Sequence, residues 1–231
     1  MIEALIFDVF GTCVDWRTSI IRELRAAIPA ADAAALADAW RAEYQPAMEP
    51  IRAGRRRYVP LDELHLENLT RVLARFGLTC ADPRALSRGW ERLEPWPDTR
   101  PGLAALHERA ILAPCSNGSI ALMTRLARHA EMPWDCILGA DLARSYKPDP
   151  GVYRAACAAL RLAPEQVMMV AAHNGDLAVA RAEGLRTAFI PRPAEHGPAQ
   201  TTDLAPAAGW DIVADDLVDL ARRFRPSGAR C

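Results

Sequence analysis

Residues Ala4, Leu5, Ile6 and Phe7 form an unbroken apolar run that stops at a carboxylate, Asp8, and Gly11 and Thr12 follow within one turn. A short continuous apolar run bounded by a glycine turn predicts a strand buried on both faces, as in parallel sheets covered by helices. In open parallel sheets ligands collect beyond the carboxyl ends of the strands. Asp8 therefore stands where chemistry is done rather than where side chains pack. The competing reading is that Asp8 caps the helix that follows.

The rest of the chain supplies the sheet that such a strand needs. Ile20, Ile21, Leu24 and Ile28 recur at helical spacing. Residues 31–48 predict one long helix with Leu36, Trp40 and Tyr44 on a face, and residues 61–76 another, stopped by Gly77. Asp82-Pro83 starts a fourth, running to about Leu93. No strand pattern occurs between Cys13 and Pro95. The stiff segment from Glu94 through Pro97 to Asp98 then marks a return to the core. From there strands near 110–113, 136–138, 167–170, 187–190 and 212–213 alternate with helices. Such alternation implies a parallel sheet with right-handed crossovers and helices on both faces. The expected fold class is α/β: a Rossmann-like core of residues 1–13 and 96–231, with an all-helical domain, 14–95, inserted after the first strand.

A chain of 231 residues, 51% hydrophobic, suits one domain with a sizeable insertion. Its net charge of -1 argues against nucleic acid or a membrane surface as partner. No apolar run is long enough to span a bilayer and the start lacks a signal-peptide pattern, so a cytoplasmic location is expected. Cys13, Cys80, Cys115, Cys136, Cys157 and Cys231 form no Cys-x-x-Cys pair and read as reduced, mostly packed thiols.

Three strand ends carry polar groups: Asp8 and Thr12, then Ser116 and Asn117, then His173 and Asp176. Lys147 lies between the second and third, in a Pro-rich loop. Each has a structural explanation: Ser116-Asn117 as a cap, Lys147 as a surface charge, Asp176 at a helix N-terminus for its dipole. All of them arriving at one sheet edge favours a site.

The order Asp8-x-x-Gly11-Thr12, Ser116-Asn117-Gly118, Lys147-Pro148-Asp149 and a final Asp176 resembles the haloacid dehalogenase superfamily over essentially the whole chain. Phosphatases of that superfamily carry a general acid two residues after the nucleophile. Here Phe10 occupies that place, and Ala171-Ala172 precede the last motif, so oxygen ligands for magnesium are few. Phe10, the Trp40-Arg41 pair and the run from Lys147 to Tyr153 resemble the L-2-haloacid dehalogenases. That resemblance implies hydrolysis of a small 2-halocarboxylic acid by water, releasing halide, with no metal or cofactor, and it suggests a homodimer. Asp8 is the implied nucleophile and Lys147 its counter-charge. Thr12 bonds Asp8 or its ester, and Asp176 lies near the hydrolytic water. Val9, Phe10, Arg41, Ser116, Asn117, Tyr153 and Asn174 make up the implied substrate-contacting set, with Tyr44 and Tyr58 in the apolar wall. His173 stands where the family commonly has asparagine, and Gly175 where it has tryptophan. His173 is expected to position or deprotonate the hydrolytic water, and a donor there could favour fluoride as leaving group. The alternatives are a magnesium-dependent phosphatase and a non-catalytic binding protein. A phosphonatase needs a cap lysine, and there is no lysine before Lys147.

Overall fold

The computed structural model describes residues 1–225, so Cys231 lies outside the described residues. Strand β1 (Ala4–Phe7) leads through the Gly11 turn into a two-residue strand, β2 (Val14–Asp15). Five helices follow: α1 (Trp16–Ala27), α2 (Ala33–Ala42), α3 (Tyr44–Arg52), α4 (Leu61–Arg75) and α5 (Pro83–Ser87). The chain returns through β3 (Glu94–Pro95), which pairs antiparallel with β2. Helix α6 (Thr99–His107) and β4 (Ile111–Ser116) come next, then α7 (Ile120–Ala130), β5 (Leu138–Gly139), α8 (Ala140–Ala143) and α9 (Pro150–Leu160). The last elements are β6 (Val167–Ala171), α10 (Asn174–Ala182), β7 (Arg186–Phe189), β8 (Ile212–Val213) and α11 (Leu217–Arg223).

The main sheet has the order β5-β4-β1-β6-β7-β8, and every pairing in it is parallel. β1 is central because all four of its residues are apolar and inaccessible. Leu5 and Phe7 point into one core cluster while Ala4 and Ile6 point into the other, the alternation a strand imposes. The first cluster continues without interruption into the helical block, through Phe10, Trp16, Trp40 and Trp90. The register sets Leu5 between Leu112 and Met168, and Phe7 between Pro114 and Val170. The three polar-ended strands therefore finish side by side.

Three local expectations are corrected. Residues 31–48 are not one helix: α2 ends at Ala42 and α3 begins at Tyr44. Pro46 has no N–H for the Ala42 carbonyl, but a proline is accommodated in the first turn of a new helix. The stretch between Cys13 and Pro95 is not free of strand, because β2 and β3 form a ribbon that closes the helical block at its two ends. Strands of two residues carry no periodicity for a sequence to display. The fourth helix stops at Ser87 and continues only as a 3₁₀ turn over Arg88–Glu91.

The first two helices of the block are started by aspartate caps. Asp15 accepts a hydrogen bond from the Thr18 N–H at 2.9 Å, and Asp32 caps Ala34 and Ala35 at 3.1 Å. Among the described residues no disulfide forms, and no helix is long and apolar enough to cross a membrane.

Candidate active site

A cleft of about 430 Å³ lies over the carboxyl ends of β1, β4 and β6, walled on the other side by Arg41 and Tyr44 of the helical block. Asp8 sits at its floor, one residue beyond β1 and nearly inaccessible. Both of its oxygens are occupied unequally. Oδ1 accepts from Lys147 Nζ at 2.8 Å. Oδ2 accepts from the Thr12 hydroxyl at 2.8 Å and lies 3.1 Å from His173 Nδ1. Thr12 is oriented in turn by the Ala172 N–H, which donates to its oxygen at 2.9 Å.

Burial opposes ionisation of Asp8, but the charges of Lys147 and His173 and their hydrogen bonds outweigh it and hold the carboxyl well below its ordinary range. Lys147 is buried too, and Asp176 and Asp8 together keep its amine firmly charged. It is the only lysine in the sequence. Its ammonium also bonds Asp176, and the Tyr153 hydroxyl donates to the other oxygen of that carboxylate. Its backbone N–H donates to Asn117 Oδ1 at 2.7 Å, which ties the Lys147 loop to the end of β4.

The turn after Asp8 is built around Gly11, whose φ of +89° is open to glycine and costly for other residues. A Cβ there would lie 2.1 Å from Oε1 of Glu195. Glu195 is almost wholly buried in the loop after β7. Its Oε2 lies 2.8 Å from His173 Nε2, and its Oε1 accepts from Trp16 Nε1 at 3.1 Å. Arg192 fastens this loop: its Nε donates to the Thr12 carbonyl at 2.9 Å, and its fork pairs with Asp98 through two bonds of 2.7 Å. Burial disfavours the charged form of His173, but its hydrogen bonds to the Asp8 and Glu195 carboxylates, and their charges, raise its pKa well above the ordinary value.

Sequence reasoning missed Glu195. It lies in a Pro-rich loop with no periodicity, 22 residues from the histidine it meets. The available signal was the glycine at position 11, which reserves space for something.

The structure brings Asp8, Thr12, Lys147, His173 and Asp176 into one connected cluster, with Phe10, Arg41 and Asn117 on the cleft wall. Arg41 stacks over the Tyr44 ring at 4.0 Å and faces Trp16 at 5.2 Å. Its Nη1 is buried and has no hydrogen-bond partner. A buried guanidinium nitrogen with no partner in the protein is a donor that an anion can satisfy.

Four expected contacts are corrected. Tyr153 is fully buried and spends its hydroxyl on Asp176, so it supports the site from below rather than touching a ligand. Asn174 turns away from the cleft: its amide bonds Asp203, the Ala205 carbonyl, the Ala207 N–H and Trp210 Nε1. Val9 packs in the core, since alternation past β1 sends it away from the cleft. Tyr58 packs at a tilt against Tyr146, ring centroids 5.5 Å apart, and donates to Asp141 at 2.6 Å, outside the residues that line the cleft. Ser116 is fully buried, and its hydroxyl accepts from the Gly118 N–H at 3.1 Å. Cys115 is no nucleophile here, because burial pushes its thiol up to about 12.

The chain is similar over most of its length to several known proteins. The profile of the haloacid dehalogenase-like hydrolases matches residues 2–184. Haloacetate dehalogenase H-2 of Moraxella sp. (strain B) is 29% identical over 198 residues, 83% of this chain and 86% of that protein. (S)-2-haloacid dehalogenase 1 of Pseudomonas sp. (strain CBS-3) is 30% identical over 197 residues, covering 83% and 85%. The crystal structure of a defluorinating L-2-haloacid dehalogenase superposes with a TM-score of 0.95 at 48% identity, over 97% of this chain and 96% of that one.

Proposed function

We propose that this chain, which belongs to the haloacid dehalogenase-like hydrolase family, is a hydrolase acting on carbon–halide bonds that converts short-chain (S)-2-haloacids into (R)-2-hydroxy acids. The observation that carries the reading is an ionised, buried Asp8 sharing a cleft with Arg41, whose Nη1 has no partner in the protein, with Phe10 where a phosphatase of this family keeps its proton donor.

Oδ1 of Asp8 is the attacking atom, because it has one donor against two on Oδ2 and so retains the freer lone pair. It displaces halide from the carbon bearing it, the carbon–halogen pair leaves with the halide, and an ester joins Asp8 to the acid. Arg41 Nη1 receives the developing negative charge of the halide. Asn117 and the backbone N–H groups near Phe10 and Asn117 orient the substrate carboxylate. Water near Asp176 then attacks the Asp8 carbonyl carbon, so carbon is displaced once and its configuration inverts. Lys147 supplies the positive charge beside the nucleophile, and the proposed route uses no bound cation. The helical block, 14–95, serves as a cap domain over the core of 1–13 and 96–231. Likeness to a defluorinating enzyme supports fluoroacetate as a further substrate.

The test is a panel of chloro-, bromo- and fluoroacetate with both enantiomers of 2-chloropropionate, assayed for halide release in the presence of chelator. The expected result is halide release that prefers the (S) enantiomer and disappears in Asp8→Asn, with circular dichroism unchanged. Phosphate release that depends on magnesium, without halide release, would establish the phosphatase reading instead.

A further inference from the structure

His173, like Lys147, lies between two carboxylates at the floor of the cleft, but one of its pair, Glu195, touches nothing in the cleft's chemistry directly. The ring reaches both: Nδ1 lies 3.1 Å from Asp8 Oδ2 and Nε2 lies 2.8 Å from Glu195 Oε2. A ring with an acceptor at each nitrogen satisfies both only by carrying two protons. Such an imidazolium has no free lone pair with which to take a proton from water.

The charge of the whole cluster agrees. Among the groups joined around the nucleophile, Asp8, Asp176 and Glu195 are matched by Lys147, Arg41 and a charged His173, while Asp203 adds a further carboxylate to the cleft wall. A neutral ring would leave a cleft that must admit a carboxylate with one more uncompensated negative charge.

We propose that Glu195 is a positioning residue that keeps His173 doubly protonated, so that the imidazolium and the Thr12 hydroxyl together form a two-donor cradle on Asp8 Oδ2 for the oxyanion of ester hydrolysis. This inference rests on the dehalogenase reading for the identity of the ester.

Attack by Oδ1 leaves Oδ2 as the ester carbonyl oxygen, already held by both donors. When water adds to the carbonyl carbon, one of its protons passes to the Asp176 carboxylate and the C=O π pair moves onto Oδ2. That oxygen becomes an anion between a hydroxyl and an imidazolium N–H, both in place beforehand. When the pair returns, the bond from the Asp8 carbonyl carbon to Oδ1 breaks, and Oδ1 takes up the proton from Asp176 and leaves as the hydroxyl oxygen of the hydroxy acid. Asp8 now holds one oxygen from water, and its acid proton goes to solvent. His173 keeps both of its protons throughout.

The arrangement explains why a second carboxylate is needed. In the free enzyme Asp8 helps to hold the ring charged, but alkylation removes the Asp8 charge. Glu195 is then the anion in contact with the ring, at the step where its charge is required. Glu195 itself is held ionised against burial by His173, with Trp16 Nε1 on its other oxygen. The groups around the ring are Asp8 from the end of β1 and Glu195 and His196 from the loop after β7. Lys147 and Asp176 lie beyond Asp8, and Arg41 of α2 acts on Glu195 across the cleft.

The experiment compares the wild type with Glu195→Gln and Glu195→Asp in two ways. Histidine-selective NMR titration of the free enzyme reads the charge of the ring. It should show His173 as imidazolium at pH 7, with a midpoint that falls in Glu195→Gln and is retained in Glu195→Asp. Rapid-quench kinetics with chloroacetate should show one equivalent of halide released at once by all three proteins. In Glu195→Gln the ester then accumulates by mass spectrometry, and its hydrolysis slows on the order of 10²-fold, the loss typical of an oxyanion donor. Hydrolysis in the wild type should fall as pH rises through the ring's midpoint, and this alkaline limb should move to lower pH in Glu195→Gln. A neutral ring at pH 7 overturns the proposal, as does hydrolysis that quickens as the ring deprotonates, which would make His173 a base. If no protein releases halide from any haloacid, the dehalogenase reading fails, while the ring titration alone still decides whether Glu195 holds His173 charged.

Discussion

Replacing Gly11 by alanine should disrupt the molecule in two separable ways. The backbone at this position has φ of +89°, where an L side chain costs roughly 1–2 kcal/mol. The added methyl would also fall 2.1 Å from Glu195 Oε1 and 2.2 Å from its Cδ. The carboxylate must move, and it is tied by His173 at 2.8 Å and Trp16 at 3.1 Å. Losing a charged hydrogen bond costs about 1.5–3 kcal/mol and a neutral one about 1 kcal/mol. The sum is about 3.5–6 kcal/mol, a fall in melting temperature of roughly 7–24 °C for a chain of this size. Gly54→Ala is the internal control, since Gly54 has φ of +69° but nothing within 4 Å of a Cβ. It should show only the backbone part. Urea unfolding followed by tryptophan fluorescence measures both. Equal stabilities for the two variants would refute the claim that Glu195 is wedged against the Gly11 turn.

Arg41→Ala should lower kcat for halide release on the order of 10²-fold, read by steady-state halide assay, because it removes the donor aimed at the leaving group. Arg41→Lys should not restore it, as a lysine cannot stack over Tyr44 and extend a planar nitrogen together. Arg192→Ala should destabilise the fold by about 3–5 kcal/mol in urea unfolding, since it leaves the Asp98 carboxylate buried without its partner. The His173 pKa is raised in the folded protein, so its protonation stabilises the fold fully below about pH 6.5. That contribution is lost as pH rises through the folded value. Unfolding measured in steps from pH 6 to pH 9 should fall more steeply for the wild type than for His173→Gln.

The central strand and the edge it serves were readable because four consecutive buried apolar residues leave few alternatives to a parallel sheet. Asp8, Thr12, Lys147, His173 and Asp176 were readable as a set, each lying at a strand end or in an adjacent loop. Side-chain direction was not readable. Tyr153 and Asn174 lie beside the right elements, but one turns beneath Asp176 and the other toward Asp203. Those choices depend on partners 23 and 29 residues away. Glu195 was invisible for the same reason in stronger form, because a loop without periodicity is placed by Arg192 and Asp98, 94 residues apart. The break at Glu43 could have been read from Pro46, had the missing N–H been weighed against the alanine-rich run.

Because Lys147 is the sole lysine in 231 residues, the protein carries a single ε-amino group, and it lies beside the nucleophile. In the native protein that amine is buried, paired with two carboxylates and held charged, so reductive methylation with isotopically enriched formaldehyde would mark the N-terminal amine and spare it. A second methylated resonance, assignable to one side chain without ambiguity, would then appear only when the cleft is pulled apart, as on unfolding.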